Sequence, residues 1–221
     1  MMSMPETDAI SDRLARCYTG VVHDVLRKMG HRDFTLPPRL RPLMPERAMA
    51  GPAFTIRGKA DPDADPHETL LAWTGLLSKC PPGHLWVNQP NDNVIAHMGE
   101  LSAETLRDKG VRGAVVDGMI RDANFLIELE FQTWGSGFTP RDIVGWWLPD
   151  AYGEQIRIGE VEIAPGDYMV GDRDGLIRVP KDIVVDVIEA AEADINTESA
   201  IRTAIRGGMD PQDAYLKHGK F

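Results

Sequence analysis

Between residues 85 and 119 a short apolar strand, a helix and a second strand follow in close order, and this succession constrains the fold most. Leu85–Gln89 (LWVNQ) reads as a strand, residues 100–109 as a helix, and GAVVDGM (113–119) as a strongly β-branched strand. Neighbouring strands joined through a helix run parallel, whereas antiparallel neighbours need only a tight turn. The chain is therefore expected to be α/β, with a parallel sheet covered by helices. Its 221 residues are enough for one domain with its own core.

Less regular stretches flank this unit. Residues 11–30 carry an apolar stripe at helical spacing (Leu14, Cys17, Val21, Val22, Val25, Leu26, Met29), and the pattern predicts a helix broken near Gly20, with Thr19 as a cap and Gly30 as the stop. The Pro- and Arg-rich residues 33–52 read as a wrapping loop, Ala53–Gly58 as a strand and Thr69–Cys80 as a short amphipathic helix. Beyond the central unit, short strands are expected at Gln132–Gly137, Arg157–Ile163, Tyr168–Gly171 and Leu176–Val179. A long helix over 182–206 stops at Gly207-Gly208, and the tail after it offers Tyr215 and Phe221 for docking. Trp73, Trp86, Trp134, Trp146 and Trp147 read as core or interface, with Trp146-Trp147 as possible pocket lining.

Charge and composition remove several functions. A net charge of −10 with no Lys/Arg-rich face argues against nucleic acid. No apolar run is long enough for a membrane span, and the start lacks the basic-then-apolar layout of a signal peptide. Two cysteines, Cys17 and Cys80, make neither a disulfide framework nor a zinc cluster. A reduced, cytoplasmic protein is the expectation. Gly135-Ser136-Gly137 runs into Phe-Thr-Pro and suits a turn, which leaves no nucleotide-binding glycine loop for a methyltransferase.

The candidate chemistry lies at the loop ends of the central unit. Gly99-Glu100-Leu101-Ser102 stands where a loop becomes a helix, and free amides there attract an anion. Asp117-Gly118 and Arg121-Asp122 follow the second strand, at the sheet edge where open α/β sheets bind ligands. Arg121 is suited to gripping a small carboxylate with two hydrogen bonds. Asp122 offers a hard oxygen with no His or Cys set beside it, which favours Mg²⁺ or Mn²⁺ retaining several waters. His97, two residues before Gly99, is a candidate proton donor.

The block GELSAETLRDKGVRGAVVDGMIRD (99–122) resembles the signature of the RraA-like family, and AGPAFTI, PPGHLWV, FTPRD and APGDYMVGDRDGLIRVP extend the similarity over about residues 14–190. The resemblance implies a swivelling β/β/α sandwich with a C-terminal helical extension: an RraA-like domain over 1–181, and a helix and tail over 182–221 packing on a neighbouring subunit of a trimer or hexamer. It implies a divalent-metal-dependent aldolase or decarboxylase that cleaves a C–C bond of a 4-hydroxy-2-oxo diacid, or of oxaloacetate, through a pyruvate enolate. In that scheme the amides of Gly99, Glu100, Leu101 and Ser102 hold the substrate carboxylate. Arg121 binds the 2-oxo acid, Asp122 holds Mg²⁺ or Mn²⁺, and a neighbouring subunit contributes a C-terminal-helix glutamate. Glu198 is the best match for that glutamate and Glu192 the second choice. The base that takes the C4 hydroxyl proton is left between waters near Glu100 and near Glu198. Three positions depart from the family pattern: Phe125 replaces an acidic residue, Ser102 a leucine and His84 an aspartate. An apolar Phe125 cannot orient a metal-bound water. The family also contains non-catalytic regulators that bind an RNA-processing enzyme, the alternative reading for this chain.

Overall fold

The computed structural model describes residues 6–219, with side chains from Ala9 onward; Phe221 lies outside them. Two helices, α1 (Glu6–Arg16) and α2 (Thr19–Lys28), open the chain. They are followed by β1 (Arg41–Pro42), β2 (Met49–Ala60), α3 (Pro66–Lys79), β3 (Leu85–Gln89), α4 (Glu100–Asp108) and β4 (Gly113–Val116). Next come β5 (Met119–Ile120), α5 (Ala123–Glu128), β6 (Thr133–Gly135), β7 (Gly137–Phe138) and β8 (Trp147–Tyr152). The chain ends with β9 (Ile156–Ile158), β10 (Val161–Ile163), β11 (Tyr168–Gly171), β12 (Leu176–Val179), a 3₁₀ turn (Lys181–Ile183), α6 (Val184–Arg206) and α7 (Pro211–His218).

The main sheet runs β1-β6-β4-β3-β2-β11-β12, with β8 also on β2. Its centre, β2-β3-β4-β6, is parallel, and α3, α4 and α5 are the crossovers. Alternation along the strands gives each face its own core. Trp86, Ala114 and Val116 face one way, toward Trp73, Leu77, Leu106 and Leu126 of the helical layer. Leu85, Val87 and Val115 face the other way, toward Ile156, Ile158, Val161 and Met169. A third cluster joins α1 and α2 to Val184, Val187, Ile188 and Ala191 of α6 and to strands β11 and β12. The expected α/β class and central β–α–β unit are therefore present.

Several boundaries differ from expectation, for identifiable reasons. The N-terminal helices part at Cys17-Tyr18 instead of Gly20. Thr19 does not cap: its N–H and hydroxyl both donate to Asp172 (2.8 and 2.7 Å), a tertiary cap that local sequence does not reveal. The loop expected over 33–52 contains β1 and the start of β2. The strand expected over 113–119 splits into β4 and β5. Arg157–Ile163 folds as a hairpin turning at Gly159, where φ is +61°. Helices α5 and α7 and strand β8 are additional elements. Trp73, Trp86, Trp134 and Trp147 are core residues, while Trp146 is exposed with the Arg141 guanidinium 4.9 Å above its ring.

Asp167 ties the end of this architecture together. Its buried carboxylate accepts from Arg178 Nε (2.7 Å) and from the amides of Ala164 (2.9 Å) and Lys181 (3.1 Å). Removing it leaves a guanidinium and two amides without their acceptor. Asp167→Ala is expected to lower the free energy of unfolding by roughly 3 kcal/mol, measured by urea denaturation.

Candidate active site

The two halves of the candidate site meet because the segment before α4 pairs with the segment before α5. His97 donates its amide to Met119 (2.9 Å), and Arg121 donates its amide to Met98 (2.9 Å). Gly99 and Asp122 thus lie side by side. A Cβ at position 99 would sit 2.7 Å from Asp122 Oδ2 and 3.1 Å from both Cγ and Nε of Arg121, so only glycine permits this approach.

Asp122 precedes α5 in a left-handed conformation (φ +56°, ψ +36°) that costs on the order of 1 kcal/mol outside glycine. Its carboxylate does not cap α5. It accepts instead from the Glu100 amide at 3.0 Å and so caps α4, whose N-cap residue Gly99 has no side chain to do so. Of the four amides expected to hold an anion, that of Glu100 is therefore engaged by Asp122. Those of Leu101 and Ser102 remain in the first turn, where helix geometry provides no acceptor.

Gly99, Glu100, Leu101, Ser102, Arg121 and Asp122 all line one cleft of about 360 Å³. Arg121 lies between two carboxylates, with Nε 3.4 Å from Asp122 and Nη1 3.4 Å from Asp142. Asp142, the last residue of the FTPRD motif, is a site residue that sequence reasoning did not assign. Also unassigned was one face of α3, where Leu70, Trp73, Thr74 and Leu77 form a wall of the cleft. Their i, i+3, i+4, i+7 spacing was the available signal.

Other candidates lie elsewhere. Asp117 pairs with Arg39 (2.7 Å) and is not among the lining residues. Glu198, on α6, accepts from the Tyr18 hydroxyl, and Glu192 forms a two-point pair with Arg13 (2.8 and 3.1 Å); neither lines this cleft. His84 bonds the Pro82 carbonyl (3.0 Å). His97 is fully buried behind the cleft, edge-on to Trp147 and 3.3 Å from Asp92. Burial drives its pKa down to about 4 against the opposing pull of Asp92, so the ring is neutral at pH 7 and is no proton donor.

Among the described residues, no group of three or more His, Cys, Asp or Glu is positioned to hold a metal ion. The donor set at the cleft, one hard carboxylate of Asp122 with Glu100 and Asp142 lining the same space, suits a cation that keeps most of its water, as Mg²⁺ does. Among the described residues no helix is long and apolar enough to cross a membrane.

A family model described as RraA-like (Aldolase/RraA) matches residues 19–178. A Methanocaldococcus jannaschii protein of no assigned function is 31% identical over 124 residues, covering 52% of this chain and 55% of its own, so the match spans about half of that relative. A Halalkalibacterium halodurans protein provisionally named 4-hydroxy-4-methyl-2-oxoglutarate aldolase is 26% identical over 98% of this chain and 97% of its own. The crystal structure of Streptomyces coelicolor RraAS2, described as an unusual member of the RNase ES inhibitor RraA family, superposes with a TM-score of 0.79 at 26% identity, covering 91% of this chain and 99% of that one.

His97 also gives the protein a pH signature. An unfolded His97, near 6.5, takes up a proton before the folded one does, so stability falls as pH drops from about 6.5 to about 4. The loss attributable to this residue is at most roughly 3 kcal/mol. Denaturant unfolding across that window is expected to show a flatter profile for His97→Gln than for the unsubstituted protein.

Proposed function

Because the chain belongs to the RraA-like (Aldolase/RraA) family, we propose that it is a carbon–carbon lyase. Its substrate is a 4-hydroxy-2-oxo diacid or oxaloacetate, cleaved through a pyruvate enolate. The observation that carries this reading is the meeting of the Gly99–Ser102 turn with Arg121-Asp122 on the wall of one cleft.

The roles follow from the chemistry of each group. The Leu101 and Ser102 amides, at the positive end of α4, receive the C1 carboxylate. Arg121, steadied by Asp142 on one side and Asp122 on the other, directs its guanidinium at the C1 carboxylate and C2 oxygen. Negative charge grows on that oxygen as the C3–C4 bond breaks, and a fixed cation there stabilises the transition state more than the ground state. For a hydroxy acid the C4 hydroxyl proton must leave as the C4 carbonyl forms; Glu100, at the cleft, is the acceptor within the chain. Asp122 would hold Mg²⁺ or Mn²⁺ with water completing the shell, and the bound ion supplies Lewis-acid stabilisation of the same developing charge.

Glu198 lies outside the cleft of its own chain, so its assigned role requires a second copy in a trimer or hexamer. The alternative is a non-catalytic regulator of an RNA-processing enzyme, favoured by the likeness to RraAS2. The cleft carries a guanidinium and three carboxylates, which a protein-docking role does not require.

With Mg²⁺ present, the protein is expected to release pyruvate from oxaloacetate or from one of a panel of 4-hydroxy-2-oxo acids, followed with lactate dehydrogenase. EDTA and Asp122→Asn should each reduce the rate at least a hundredfold without altering the circular dichroism spectrum. A metal-replete protein that is inactive on every substrate favours the regulator. Glu198→Ala should also be impaired, and mixing it with Asp122→Asn under subunit exchange should restore activity. Absence of recovery would return Glu198 to a structural role beside Tyr18.

A further inference from the structure

Trp73 and Ser102 meet at the wall of the cleft, and the bond between them decides what the serine can offer a ligand. Trp73 is a core residue of α3, held edge-on against Trp86 (ring centroids 5.3 Å apart) and Trp147 (5.8 Å). Its Nε1 donates to Ser102 Oγ at 2.9 Å. Both residues line the cleft.

An indole N–H can only give a hydrogen, so the serine oxygen is the acceptor in this bond. A hydroxyl that accepts keeps its own hydrogen for a second partner. Among the described residues none takes it. The bond joins two helices of one chain through a buried indole, so it stands whatever a cation at Asp122 or a neighbouring copy adds to the cleft. Toward anything bound there, Ser102 acts as a donor.

The place of Ser102 on α4 indicates what it gives to. It is the third residue of the helix, where the backbone N–H has no acceptor from the helix itself. Only Cα and Cβ separate the amide nitrogen of a serine from its hydroxyl oxygen, so one acceptor group can receive from both. An apolar residue at this position would offer the amide alone. A carboxylate, with about four acceptor sites, gains most from such a pair of donors.

We propose that the Ser102 side chain is itself a substrate-binding group. Its hydroxyl donates to the carboxylate that the Leu101 and Ser102 amides receive, and Trp73 is the positioning residue that holds the hydroxyl as a donor. The assignment rests on the proposed placing of a 2-oxo acid in this cleft, and not on the cleavage that follows.

Pyruvate is the probe, because it carries the C1 carboxylate and the C2 oxygen and nothing beyond C3. Titrated calorimetrically into the full-length protein with Mg²⁺, it should bind about tenfold more weakly to Ser102→Ala, the loss expected of a hydrogen bond to a charged group. Ser102→Thr, which keeps the hydroxyl, should retain most of the affinity. Trp73→Phe should also weaken binding, and should add nothing in the Ser102→Ala background, because the indole acts only through the hydroxyl. A tryptophan with a merely structural role would lower affinity in both backgrounds. If Trp73→Phe does not fold, benzothienylalanine in place of Trp73 keeps the bicyclic shape and lacks the N–H. Unchanged affinity in Ser102→Ala, an equal loss in Ser102→Thr, additive losses in the double variant, no binding of pyruvate by the unsubstituted protein, or a loss seen with 2-oxoglutarate and not with pyruvate would each overturn the proposal. Pyruvate binding that depends on Ser102, without turnover of oxaloacetate or any 4-hydroxy-2-oxo diacid, keeps the Ser102 assignment and removes the lyase reading. Turnover with pyruvate binding indifferent to Ser102 does the reverse.

Discussion

Two amide hydrogen bonds, His97 to Met119 and Arg121 to Met98, hold together everything that makes the cleft a site. They align the approach to α4 with the approach to α5, so that residues 22 and 23 positions apart become neighbours. Asp122 and Arg121 lie so close to position 99 that a Cβ there would displace their side chains, and Asp122 takes up the capping role that Gly99 leaves open. The left-handed backbone at Asp122 is the strained point of the arrangement. Its cost is small beside the helical packing on either side of it. Leu106 of α4 and Leu126 of α5 are both fully buried in the same core, which fixes the two helix starts relative to each other.

The same geometry separates the cleft's polar and apolar tasks. Polar groups come from loop-to-helix junctions, where amides and short side chains are free to turn toward a ligand. The apolar wall comes from α3, a helix whose opposite residues are anchored in the core through Leu76 and whose start is fixed by the Asp65 carboxylate on the amides of His67 and Glu68. A ligand in the cleft would therefore meet polar groups from the loop-to-helix junctions and apolar groups from a helix fixed in the core. Trp73 links the two, packing edge-on to Trp86 and Trp147 while its indole N–H reaches Ser102 on α4.

Much of this was legible in the sequence, because the signals were local and strong. The parallel unit around β3 and β4 announces itself through an apolar strand, a helix and a β-branched strand, and the structure brings Gly99–Ser102 and Arg121-Asp122 to one cleft as their spacing implied. What was not legible depended on partners far along the chain. Asp172 caps α2 from more than 150 residues away, so the helix break lay two residues from where Gly20 suggested. Asp142 entered the site through a loop that carries no periodicity. Asp117, adjacent in sequence to the site motif, was drawn to Arg39 instead. His97 looked chemically useful by position, and full burial removed it from acid–base work. Residue type and spacing identify which groups can act, while long-range packing decides which of them face the cleft.

Strand β2 changes partners along its length. Residues 49–52 pair with β11, residues 53–57 with β3, and residues 56–60 with β8. One continuous strand therefore serves the parallel sheet that carries the cleft and the antiparallel edge that seats α1, α2 and α6. A chain emerging from the ribosome can close the middle of β2 once residue 89 has appeared, but its outer ends must wait for residues 152 and 171. The cleft's scaffold is thus finished late in synthesis, and the unpaired flanks of β2 are the edges that a nascent chain must keep from strangers until then.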